Sequence, residues 1–332
     1  MTPETRSLRR ELRQAGLTTG TIDAVWPEWW SEAAEGSISA TAELRYTLAR
    51  RLGVSPRSLF DGPPRFVWRD RAKYKNLGDA SDDEIGILCS FGVAVGQNVI
   101  AAAPASQVLP TSAGELRQAI LTTSYAVGLG DLLAFCWAVG VPVVQLRLFP
   151  LQQKRMHAMT VDAGDRFVIL LARETSFAAQ AAYIIAHEIG HIILRHTVGV
   201  AALLDVEDPL RVSDPDDEET AADRFALELL TGDPDPRVES DSSSFSARQL
   251  AQAAMASAAA GTRVDPGVLA LCLAYATTRW RQGFGALKLI PPGPINVGDE
   301  VNTVARRQLA LSSLSIDGQD YLRKVMGGGL GS

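Results

Sequence analysis

Cysteine and histidine are scarce in this sequence, with three of the first and four of the second among 332 residues. Cys89, Cys136 and Cys272 are scattered, lack metal-ligand spacing and sit in apolar surroundings. That excludes a disulfide framework and a cysteine-ligated metal, and it predicts buried free thiols in a reducing compartment. No basic stretch followed by an apolar core opens the chain, so no secretion signal is read. The apolar run from Leu132 to Val144 contains Gly140 and Pro142 and is too short to span a bilayer. The expectation is a cytoplasmic protein with no membrane partner. Strong charge of one sign is also missing: the net charge of −6 argues against non-specific nucleic-acid binding by the whole chain. The charge is unevenly spread, with 13 Lys/Arg against 9 Asp/Glu over residues 1–75 and 19 against 29 over the rest. What the chain does have is apolar content, 46%, enough over this length to bury the cores of two or three domains.

Of the four histidines, at positions 157, 187, 191 and 196, three fall within ten residues. The stretch Ala186-His187-Glu188-Ile189-Gly190-His191 reads as helix, because Ile185, Ile189 and Ile192 recur at helical spacing on the face away from the histidines. Residues four apart on a helix lie one above the other, so His187 and His191 aim their rings at a common point. Two neutral imidazoles so placed suit zinc, which in catalytic sites takes three protein ligands and leaves a position for water. Glu188 flanks the same face and is placed to take a proton from that water. His196 follows Arg195 at the helix end and reads as a cap on the last carbonyls, not a ligand. His157 reads as a surface or structural residue.

A third ligand is expected from a second helix carrying Asp216-Asp217-Glu218-Glu219-Thr220-Ala221-Ala222-Asp223-Arg224-Phe225-Ala226. Asp214 is the expected cap and Pro215 the first turn, and acids suit the positive helix end. Asp216, Asp217 and Glu218 read as a solvated helix start. Glu219 differs, because Ala222 and Ala226 share its face and small side chains let two helices approach closely. It is the expected third ligand. Asp223, one turn on, is expected to accept the outer N–H of a ligating imidazole and fix its tautomer.

The two segments together resemble the ImmA/IrrE metallopeptidases, in the motif His187-Glu188-Ile189-Gly190-His191 followed by Glu219-Thr220-Ala221-Ala222-Asp223-Arg224-Phe225-Ala226. The resemblance is densest over residues 130–235. It implies zinc on His187, His191 and Glu219, Glu188 as the base, and cleavage of a partner repressor in a stress, phage-defence or mobile-element response. Where the family follows Leu-Leu with Met-Pro, this chain has Leu229-Leu230-Thr231-Gly232, so the exit from that helix is expected to differ.

The fold class read from the pattern is α+β and mostly helical. Residues 1–62 form a helix-turn-helix-like bundle, with helices over 3–15, 21–34 and 39–52 and a turn at 55–60. The stretch from Leu48 to Phe60 resembles the closing helices of lambda-repressor-like domains. The place of a recognition helix reads Ala24-Val25-Trp26-Pro27-Glu28-Trp29-Trp30, three indoles and an acid where base readout needs Arg, Lys, Asn or Gln. A degenerate domain used for packing or partner contact is the better expectation, and the indoles read as core or interface anchors. Residues 63–114 read as a helical linker region; Arg65, Arg69, Arg71, Lys73 and Lys75 interleave with Phe66, Trp68 and Tyr74 there, as in a linker or solvated helix face. Residues 115–235 are the expected zincin-like peptidase domain, with helices over 116–126 and 132–139 and a small antiparallel sheet from 142–149, 156–161 and 166–171. An open edge of that sheet would receive an extended peptide. Residues 236–332 read as a C-terminal helical region after a Ser-rich loop, with helices over 247–260, 266–281 and 301–325. Three function classes follow: a regulatory zinc endopeptidase with a protein substrate, a DNA-binding regulator with a vestigial peptidase fold, and a non-catalytic sensor. The intact four-residue set favours the first.

Overall fold

The computed structural model describes residues 3–31, 33–68, 72–75, 81–152, 156–164, 166–205, 217–236 and 246–328. The chain begins with helices α1 (Pro3–Gln14), α2 (Thr19–Val25), α3 (Ile38–Leu52) and α4 (Ser58–Asp61). Strand β1 (Ala72–Lys75) precedes the long α5 (Asp82–Ala102), then α6 (Ala113–Leu121) and α7 (Leu129–Ala138). Strands β2 (Val143–Gln145), β3 (Ala158–Asp162) and β4 (Phe167–Leu171) lead to α8 (Ala178–Ile193), β5 (Ala202–Asp205) and α9 (Asp217–Thr231). Helices α10 (Ala247–Ser257), α11 (Pro266–Ala276), α12 (Trp280–Leu287), α13 (Val297–Gln308) and α14 (Ile316–Val325) complete it.

The strands form one sheet in the order β1-β5-β3-β4-β2. Side chains alternate across a sheet, and here the alternation feeds two separate cores. Val144, Met159, Val161, Val168 and Leu170 join a cluster that contains α5, the N-terminal helices and α14. Val143, Ala158, Ile169 and Leu171 join the other, with residues of α6 to α12 and the first half of α13. Thr160 lies two residues from Ala158 and so falls on the α8 side. Gly96 lets α5 sit directly on the sheet, since a Cβ there would come within 2.9 Å of Val168 and 3.0 Å of Val161.

The expected antiparallel sheet is a mixed one: β1 pairs parallel with β5 and β2 with β4, while β3 runs antiparallel to β4 and β5. Strands β1 and β5 were not foreseen, because each is four residues long and too short to show alternation. The basic and aromatic stretch read as linker or helix face supplies β1; Arg69 and Arg71 lie outside the described residues. β3 has a neighbour on each side, and Asn302 occupies the outer edge of β2, its amide accepting from Gln145 N–H and donating to Gln145 C=O at 2.9 Å each. Neither strand therefore offers the open edge expected for a peptide.

The helix expected over 21–34 ends at Val25, since Pro27 has no N–H to continue it. From Trp26 on, the segment proposed for a recognition helix is thus a bend and turn with Trp26 buried, and Arg9 stacks over that indole at 4.2 Å. α5 is the single helix among the described residues long and apolar enough to cross a membrane, but it is packed inside the core. The helix expected over 301–325 is two, α13 and α14, parted by a short 3-10 turn at Leu311–Ser313, and the one over 266–281 is α11 followed by a break before α12. Asp214, Pro215, Asp216, most of the Ser-rich loop and residues 329–332 lie outside the described residues.

Candidate metal centre

Helix α8 is buried along nearly its whole length, and α9 packs against it. Gly190 makes the approach close: a Cβ there would lie 3.3 Å from the Ala222 Cα and carbonyl oxygen and 3.3 Å from the Phe225 Cβ. Ala222 and Ala226 are fully buried on the facing side of α9, as their size predicted. A glycine inside a helix costs about 1 kcal/mol against alanine, and the close contact is what that cost accompanies.

This approach brings Glu219 to the two histidines. The Nε2 atoms of His187 and His191 are 2.9 Å apart. Glu219 Oε2 lies 3.4 Å from His187 Nε2 and Oε1 lies 3.4 Å from His191 Nε2. All three residues are buried. The outer ring nitrogens are engaged as well: His187 Nδ1 is 2.9 Å from Asp223 Oδ1, and His191 Nδ1 is 2.8 Å from His196 Nδ1. An ionised carboxylate only accepts, so the His187 proton belongs on Nδ1. With the proton of His191 likewise on Nδ1 and given to His196, both Nε2 lone pairs point inward at the Glu219 carboxylate. Four electron-rich atoms facing one another at these distances repel unless a cation lies among them. Imidazole nitrogens and a carboxylate form a donor set that zinc accepts, so this cluster could hold a metal ion.

Glu188 sits beside the cluster, fully buried, and its Oε2 accepts from the Thr160 hydroxyl at 2.5 Å. The one signal for Thr160 is its place on the α8 side of β3, and that requires the register. Tyr183 donates to Asp223 Oδ1 at 2.6 Å. Burial, reinforced by the Asp223 charge, holds its phenol well above the usual tyrosine range, so it stays a donor. Arg195 is exposed and left-handed at φ 62°. That conformation turns the chain back, so His196 donates its N–H to the His191 carbonyl and sets its ring against His191. The sequence reading of His196 as a cap missed this ring contact. His157 is buried outside the cluster and pairs with Arg173 at 2.8 Å, a structural place, not a surface one. Glu218, read as a solvated helix start, pairs with Lys73 of β1.

Residues 161–264 match the family model Peptidase U49. The match supports a peptidase family and spans Glu188, all three cluster residues and Asp223, though it covers 104 of the 332 residues. No curated protein and no solved structure matches the chain.

Proposed function

We propose that this protein is a zinc-dependent endopeptidase, with His187, His191 and Glu219 as ligands, Asp223 as the residue orienting His187, and Glu188 as general base. The observation that carries the reading is the convergence of two inward-facing imidazole nitrogens and one carboxylate in a segment that matches a peptidase family. Zinc bound there would polarise a scissile carbonyl and lower the pKa of a water. Glu188 takes the proton from the attacking water as its oxygen bonds to the carbonyl carbon, and delivers it to the amine as the C–N bond breaks. Thr160 holds one oxygen of Glu188 during both transfers. Asp223 and His196 fix the rings of His187 and His191, as outer partners of ligating histidines do.

The narrower reading is that the substrate is a partner transcriptional repressor, cleaved in a stress, phage-defence or mobile-element response. It is supported by the resemblance of residues 187–191 and 219–226 to the ImmA/IrrE pattern. The protein is taken to act in the cytoplasm. The test is to express the wild type and Glu188→Gln in the native host and compare new protein N-termini by mass spectrometry. Termini made by the wild type alone, within a DNA-binding repressor, are expected. Termini only in other proteins would retain the peptidase and remove the repressor; identical sets in both strains would remove the peptidase.

A further inference from the structure

A cavity of about 380 Å³ lies between α8, α9 and α11, lined by Tyr183, Asp223, Leu227, Asp235, Leu271 and Tyr275 among others. None of the three cluster residues lines it, so it is not the space around the metal centre. Its size is within the range of small-molecule sites, about 300–1,000 Å³. Its walls are mostly apolar, from Ala179, Leu227, Val268 and Leu271. Two carboxylates stand in that wall, and no lysine, arginine or histidine does among the described residues. Asp223 accepts from both Tyr183 and His187 through Oδ1, which leaves Oδ2 with no hydrogen bond among the described residues. Asp235, an exposed residue, lines the same cavity. Tyr275, half exposed and edge-on to Trp280 at 6.2 Å, adds an aromatic face of the kind that attracts cations.

The geometry points to a binding site for an organic ammonium: an apolar body in the cavity, with its charged nitrogen at Asp223 and Asp235. An anion would meet two like charges, and a neutral ligand would leave the Asp223 oxygen unsatisfied on losing its water. The free amine and a basic side chain of a polypeptide share this chemistry.

Isothermal titration of the full chain with phenethylammonium tests it, against 2-phenylethanol and phenylacetate as neutral and anionic isosteres. The readout is binding, so the result does not depend on peptidase activity or zinc. Saturable 1:1 binding is expected, about tenfold tighter than for the alcohol, from one ammonium–carboxylate contact at the protein surface, with weaker binding still for phenylacetate. Ala276→Trp, a change at the exposed rim of the cavity, should abolish binding, and Asp235→Asn should weaken it about threefold. Nα-acetyl-lysine methylamide separates the sources: affinity equal to phenethylammonium assigns the cavity to a basic side chain, and loss of affinity assigns it to a free amine. Equal affinity for the ammonium and the alcohol, no saturation below about 10 mM, or undiminished binding by a folded Ala276→Trp variant would overturn the assignment. The isostere comparison on the wild type stands even if the tryptophan variant does not fold.

Discussion

Gly190→Ala tests the helix approach on which the centre depends. The added Cβ would stand 3.3 Å from both the Cα and the carbonyl oxygen of Ala222, against the roughly 3.5–4.0 Å of an ordinary carbon contact. Both neighbours are backbone atoms, so relief requires α9 to move as a body by about 0.2–0.5 Å. Alanine contributes about 1 kcal/mol through helix propensity, while overpacking costs about 1–3 kcal/mol. The net effect on stability is therefore small, between about 0 and 2 kcal/mol of loss. Metal binding responds more sharply, because Glu219 rides on α9 and ligand distances tolerate only about 0.2 Å. Zinc affinity, measured by competition with a chromogenic chelator, should fall at least about tenfold while circular dichroism shows a folded protein. A variant that melts higher and binds zinc as tightly as the wild type would refute the argument that glycine at 190 sets the distance between the helices.

Replacing Thr160 by Val keeps shape and burial but removes the donor to Glu188, a hydrogen bond to a charged group contributing about 1.5–3 kcal/mol. Cleavage should drop about 10–100-fold with zinc retained, Thr160→Ser should restore most of it, and an unaffected Val variant would remove Thr160 from the positioning role. His196→Ala should weaken zinc about 10–100-fold, read by the same chelator competition; unchanged affinity would make His196 only a turn residue. The three thiols give a pH effect, since burial pushes Cys89, Cys136 and Cys272 up to about 12. Their folded values lie above the unfolded ones, so their contribution is complete below about pH 8.5 and is lost as pH rises toward about 12. Melting temperatures should fall across that window, less steeply in Cys136→Ala, and thiols that alkylate freely at pH 8 in the native protein would contradict their burial.

The clustering of His187, His191 and Glu219 was legible because its signals are local. His187, Glu188 and His191 are fixed by one helical repeat, and Glu219, Ala222 and Asp223 by another, so the face each presents follows from spacing alone. The small residues Ala222 and Ala226 signal close packing, and Gly190 is the opposite half of that contact. Thr160 and His196 were missed for different reasons. Thr160 reaches Glu188 only through sheet register, which a sequence does not print, and His196 returns to His191 only because Arg195 is left-handed. The short strands β1 and β5 carry too few residues for a period, and their pairing joins segments about 130 residues apart. In the N-terminal region the helical propensity around Ala24 is cut short by Pro27, and α2 ends at Val25. The Asn302 side chain that closes the edge of β2 comes from a helix more than 150 residues away, and no local pattern points to it.

The central claim is that His187, His191 and Glu219 hold one zinc ion. Metal content by mass spectrometry of the purified wild type beside Glu219→Ala, both supplied with zinc, tests it most directly. The account predicts about one zinc per wild-type chain and a marked loss in the variant with the fold intact. A folded wild type that retains no zinc, or a Glu219→Ala variant that retains it fully, would contradict it.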